Sequence, residues 1–218
     1  MDSGGGCSYG PCGDWETRVG VAFCYADRLA DVNVATNIAI GQCGVRVLHE
    51  AWEACGCPDR LEIAAHCNAG WLACVDRRTA LAGIYTAHDA GLPLPVWVNE
   101  TRPVNQGARL TTCELIALGV KCTLQVASAC GSRMKNGGIP ACLVGAERVT
   151  AAGAVCNKIG TYLMALATAN NGIPFYAVFP GTRFDRHCTS GDIKSENRNS
   201  RAVVWVRAAP RRWTLHLG

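Results

Sequence analysis

The sequence predicts an α/β fold: a parallel sheet with helices on both faces, preceded by a short helical N-terminal segment. Three observations carry that expectation. From residue 61 onward, five apolar runs of strand length alternate with four stretches of helix length, and strands covered on both faces read as continuous apolar runs. Each helix-length stretch closes on a glycine, at Gly91, Gly119, Gly138 and Gly172, as expected of a residue that enters the left-handed region at a helix end without a Cβ penalty. The composition, 49% apolar and 17% charged over 218 residues, has enough apolar surface for a globular core.

Taken in order, the first fifteen residues, "MDSGGGCSYGPCGDW", are glycine-rich and expected to be disordered. "ADRLADVNVATNIAIGQCGVRVLHEAWEACG" has helical spacing and no β alternation. Residues 1–60 therefore read as a disordered start and a shortened helical segment, and residues 61–218 as the sheet domain. Its strands and helices run "LEIAAHC" then "TALAGIYTAHDAG", "PVWVNE" then "GARLTTCELIALG", "CTLQVA" then "SACGSRMKNGG", "ACLVGAE" then "NKIGTYLMALATANNG", and finally "PFYAVFP". A helix between successive strands is the crossover that parallel pairing requires, which makes this a Rossmann-like unit. The G-x-G-x-x-G phosphate fingerprint is missing, so a dinucleotide is not implied, and nothing else in the sequence calls for a cofactor. After Pro180 the pattern weakens, and "VVWVRA" is a lone strand candidate.

The formal charge of +4 is small and scattered, and the one basic cluster, "RAAPRRW", reads as a solvated end, so no nucleic-acid partner is expected. No run is apolar enough for a membrane span, and the start has neither a charged nor an apolar leader region. The expected location is the cytoplasm, with the nucleus open for a eukaryotic chain. Fourteen cysteines, mostly inside apolar runs, read as reduced core residues. Cys55 and Cys57 are too closely spaced for a CxxC zinc half-site, and no metal is expected.

Four polar clusters fall at strand exits or in the loops after them: "HCNAG" at 66–70, "NETRPVNQGARLT" at 99–111, "GAERV" at 145–149 and "NKIGTY" at 157–162. Parallel strands all exit on one edge, where open α/β sheets bind their ligands. Cys67, Gln106, Glu147, Asn157 and Lys158 are thus expected to line one crevice.

These clusters, followed by "GIPFYAV", stand in an order that resembles the methylthioribose-1-phosphate isomerase family, itself similar to the α, β and δ regulatory subunits of translation initiation factor 2B. The resemblance runs from "NIAIGQCG" at 37 to "IKSENR" at 198. It implies a helical N-terminal domain before a Rossmann-like domain, a homodimer, and isomerisation of 5-methylthioribose 1-phosphate to the ribulose phosphate in methionine salvage. It places Glu147 at the acid position and Cys67 at the essential cysteine. It further puts Gln106 in contact with substrate, and Asn157 and Lys158 against the sugar phosphate.

Several positions depart from the family pattern. The acid is normally aspartate, and the extra methylene of Glu147 moves its carboxyl by about 1 Å, a displacement that can cost on the order of 100-fold in rate. Asp76 to Arg78 replace a glycine-tyrosine-glycine turn, and Ala127 stands where the family has aspartate. The arginine-containing loop that reaches the phosphate from the family's helical domain has no counterpart, although "ETRV" at 16–19 echoes another arginine motif of that domain. Three alternatives stay open: a non-catalytic regulatory subunit like those of initiation factor 2B, a ribose-1,5-bisphosphate isomerase, and an inactive fragment.

Overall fold

The computed structural model describes residues 14–66, 74–75 and 79–189. The chain opens with one long helix, α1 (Trp15–Ala54), whose first turn is capped by the Asp14 carboxylate accepting from the Thr17 N–H at 2.9 Å. Glu16 in that turn complements the helix dipole. The buried positions Asn37, Gly41, Gly44, Leu48 and Ala51 recur every three or four residues and so form one stripe. That stripe packs on α2 (Thr79–Asp89). Glycine is needed at the crossing, because a Cβ on Gly44 would lie 2.6 Å from the Gly83 Cα.

The strands β1 (Ile63–His66), β2 (Val96–Glu100), β3 (Cys122–Val126) and β4 (Ala141–Gly145) form most of the main sheet. With β7 (Phe175–Val178) they pair in the order β3-β2-β1-β4-β7, every pairing parallel. The helices between them are α2, a π-helical turn (Gly107–Thr112) running into α3 (Cys113–Ala117), α4 (Ala129–Lys135) and α5 (Thr161–Asn170). Ile63, Ala65, Val96, Val98, Ala141 and Leu143 pack with Leu48, Leu81, Ile84 and Leu115 from α1, α2 and α3. The alternate residues Ala64, Cys142 and Val144 pack with Cys130, Met134 and Met164 from α4 and α5. Helices therefore cover both faces, as the continuous apolar runs required.

A second, three-stranded sheet, β6 (Val155–Cys156), β5 (Arg148–Thr150) and β8 (Phe184–Asp185), stands beside the exit of β4. It has no counterpart in the sequence reading, since strands of two or three half-exposed residues leave no periodicity.

The structure corrects several details. The N-terminal helix is 40 residues long and already contains Trp15, placed above in the disordered start. Gly91, Gly119 and Gly172 do take positive φ after their helices, but after α4 it is Gly137 (φ 73°) rather than Gly138 that does so. Of the described cysteines, all of them free thiols, Cys130 and Cys142 are fully buried while Cys24, Cys43, Cys55 and Cys57 are exposed, so "core residue" holds for few of them. The candidate strand "VVWVRA" and the Asp76–Arg78 turn lie outside the described residues. No helix among the described residues is long and apolar enough to cross a membrane.

Candidate functional site

The C-terminal ends of three sheet strands are tied to a single stretch of chain, residues 156–164. From β4, the Glu147 N–H donates to the Cys156 carbonyl at 2.8 Å. From β1, His66 Nε2 lies 2.8 Å from the Ile159 carbonyl oxygen. From β2, Asn99 Nδ2 lies 2.9 Å from Met164 Sδ. Inside the stretch, Thr161 Oγ1 donates to the Lys158 carbonyl at 2.6 Å and accepts from Asn157 Nδ2 at 3.1 Å, which fixes the Asn157 amide at the entrance to α5. Glu147, Asn157 and Lys158 are thereby gathered at one edge of the sheet, and His66 brings the exit of β1 to the same place.

Each expected residue can be located, with one exception. Cys67, which follows His66 in the chain, lies outside the described residues. Asn157 and Lys158 are half-buried in the turn. Glu147 is exposed and lines a polar cavity of about 440 Å³ with Arg148, Arg183, Asp185, Arg186 and His187. In that cavity Arg148 pairs with Asp185 (3.7 Å), and the Asp185 carboxylate also accepts from the N–H groups of His187 and Cys188.

Gln106 precedes the π-helical turn, and its Oε1 is buried with no hydrogen-bond partner among the described residues. A buried amide oxygen left unpaired carries a desolvation cost that a ligand hydroxyl could relieve. The loop that presents Gln106 is held by Glu100. Its carboxylate accepts from the N–H groups of Thr101 (2.7 Å), Gly107 (2.9 Å) and Ala108 (3.1 Å). Because that negative charge already occupies the helix start, the start is closed to a phosphate. Gly107 has to be glycine here, since a Cβ would lie 2.7 Å from the Asn99 carbonyl oxygen.

Sequence reasoning missed the residues that hold this edge together. Asn99 and Gln125 stand opposite each other in the β2–β3 register and are bonded at 2.9 Å. Gln125 in turn accepts from Arg133 Nε at 3.0 Å, and the Arg133 guanidinium lies over the Trp97 ring, 3.6 Å from its centroid. His66 is 0% exposed. Burial, and the nearby Lys158 charge, hold its imidazole below the ordinary value of 6.5, partly opposed by the bond to Ile159. The available signal was period: His66 follows Ala64 on the same strand face, where a polar residue demands a buried partner. Burial also pushes the Cys130 and Cys142 thiols up, which keeps both as protonated core side chains. Among the described residues no group of three or more His, Cys, Asp or Glu side chains could hold a metal ion.

Comparison with known proteins gives a consistent picture. The methylthioribose-1-phosphate isomerase of Methylobacterium nodulans is 50% identical over 191 residues, covering 87% of this chain and 52% of that protein. That of Gluconobacter oxydans is 44% identical over the same length, covering 87% of this chain and 52% of that protein. The chain thus spans about half the length of the curated relatives it matches. Among solved structures, subunit delta of the translation initiation factor eIF-2B from A. fulgidus superposes with a TM-score of 0.78 at 35% identity, covering 88% of this chain and 54% of that one. The 5-methylthioribose 1-phosphate isomerase from Pyrococcus horikoshii OT3 superposes with a TM-score of 0.75 at 36% identity, covering 89% and 52%. Residues 14–212 match the model of the initiation factor 2 subunit family, and the chain belongs to that family.

Proposed function

We propose that the chain carries the sheet-domain half of an aldose–ketose isomerase that converts 5-methylthioribose 1-phosphate to 5-methylthioribulose 1-phosphate. The observation that supports this reading best is the attachment of three strand exits to residues 156–164, which gathers Glu147, Asn157 and Lys158 beside the residue preceding Cys67. Phosphate on the anomeric oxygen prevents ordinary hemiacetal opening, so an acid must protonate the ring oxygen as its bond to C1 breaks. Glu147 supplies that proton. Hydrogen moves from C2 to C1 and the C2 hydroxyl gives up its proton, so aldose becomes ketose with no net proton consumed. Cys67 acts beside C1 and C2, Gln106 Oε1 accepts from a sugar hydroxyl, and Asn157 and Lys158 hold the phosphate.

The site works in a homodimer, a reading supported by apolar side chains that the described chain leaves in solvent. Phe23, Tyr25 and Val32 on α1 and Tyr162 and Leu163 on α5 are all more than half exposed. The α1 segment "VRVLHEAW" is covered within the chain, since Leu48 is fully buried and Val45 and Trp52 pack on the core.

The test is turnover of synthetic methylthioribose 1-phosphate by the purified chain, coupled to detection of the ketose. Turnover that disappears in Glu147→Gln sustains the reading. Absence of turnover in the wild-type chain and in Glu147→Asp overturns it. The chain would then be read as a non-catalytic regulatory subunit, which the likeness to subunit delta favours.

A further inference from the structure

We infer that His66 is a positioning residue, which as the neutral imidazole with its proton on Nε2 sets the Asn157–Gly160 turn against the exit of β1. The Nε2–H donates to the Ile159 carbonyl at 2.8 Å. Ile159 follows directly after Asn157 and Lys158, so this bond fixes where both side chains start. The other ring nitrogen, Nδ1, is buried with no partner among the described residues. A proton there would bury an unpaired donor and a charge, which selects the neutral form and assigns its single proton to Nε2.

The turn is shaped to receive the ring. Gly160 has φ +99°, and a Cβ there would lie 3.0 Å from His66 Cε1 and 3.1 Å from Nε2. A side chain at this position would strain the backbone at its positive φ and crowd the imidazole by a few tenths of an ångström, so the glycine and the histidine fit each other. The bond is also central in the sheet, since β1 pairs with both β2 and β4. Downstream, the Thr161 hydroxyl bonded to Lys158 and Asn157 passes the same register into α5.

The consequence for substrate rests on the isomerase reading, but the positioning itself does not, and the experiment separates them. His66→Leu keeps bulk and removes the donor, whereas His66→Gln carries an amide N–H to about the place of Nε2. Hydrogen exchange of the full chain is followed at the Thr161 and Met164 amides, which bond to the Lys158 and Gly160 carbonyls. Exchange there should rise about tenfold in His66→Leu, the scale of one lost hydrogen bond, and return toward wild type in His66→Gln, with α2 unchanged. With methylthioribose 1-phosphate the same loss should raise KM more than it lowers kcat. In parallel, nitrogen NMR of the wild-type imidazole should show Nε2 protonated and Nδ1 bare. Unchanged exchange in His66→Leu, or a proton on Nδ1, overturns the inference. If His66→Leu does not fold, the NMR assignment and His66→Gln decide it. Normal positioning without turnover strikes the isomerase reading alone.

Discussion

At the scale of single residues, Glu147 carries the proposed acid role. Its exposed carboxylate lines a cavity with Arg183, Arg186 and His187, and its reach exceeds that of aspartate by one methylene. Shortening it should therefore preserve or raise turnover, while Glu147→Gln should lower it by at least about 100-fold because an amide cannot deliver the proton. Steady-state rates with methylthioribose 1-phosphate decide the matter, and an active Glu147→Gln would remove the acid role. Cys67→Ser should be similarly damaging, since a hydroxyl of far higher pKa does not replace the thiol.

His66 makes a second residue-scale prediction, on stability. The folded imidazole sits below 6.5 while the unfolded one titrates near 6.5, so in the window beneath that value the unfolded chain binds the extra proton. Stability is thus fully present above about pH 6.5 and falls as pH drops below it. Urea midpoints at pH 7.5 and 5.5 should differ less in His66→Gln than in wild type. Glu147, Gln106, Asn157 and Lys158 stand out in the sequence because they are polar at strand exits, and their roles rest on the proposed function. His66 heads the polar cluster "HCNAG", but its role is hidden in the sequence because its partner lies 93 residues away.

At the scale of elements, the long strands and their covering helices were legible for a physical reason. Burial on both faces makes β4 apolar throughout and β1 apolar up to its last residue, His66, and the crossovers between them leave glycines at helix ends. What the sequence could not disclose is built from geometry without composition. The π-helical turn at Gly107–Thr112 looks like ordinary helix in its residue types. The cis bond between Arg102 and Pro103 leaves no mark beyond the proline. The role of Glu100, written in "NETRP" as if it were a surface charge, emerges only when its carboxylate is found on three backbone N–H groups. Removing it in Glu100→Ala should cost about 2 kcal/mol, the range for charged hydrogen bonds to backbone donors, measured by urea unfolding. A loss below a few tenths would mean that water replaces the cap at no cost.

At the scale of the whole molecule, the uncovered apolar side chains of α1 and α5 argue for association. Sedimentation velocity at micromolar concentration should find a species of twice the chain mass, and a clean monomer would sink the dimer. The match covers about half of the length of those relatives, so association with a second copy is to be distinguished from cover by segments of the kind that make up the relatives' other half. Mixing the chain with itself at rising concentration separates the two, because only self-association obeys mass action in this one component.

The crossing of α1 over α2 at Gly44 and Gly83 also has a mechanical side. Two backbones touch there with no side chain between them, inside the longer stripe from Asn37 to Ala51 that fastens α1. Beyond that stripe α1 runs another 22 residues back to Trp15, roughly 33 Å of rigid rod at the helical rise. From Trp15 to Val32 it is exposed almost throughout. Such a rod is a lever with its fulcrum at the end of the buried stripe: a tilt of about 10° there swings Trp15 through roughly 6 Å, given the rod length above. Whatever grips the far end of α1 therefore exerts a torque on α2, and through α2 on the sheet that sets the spacing of the strand exits.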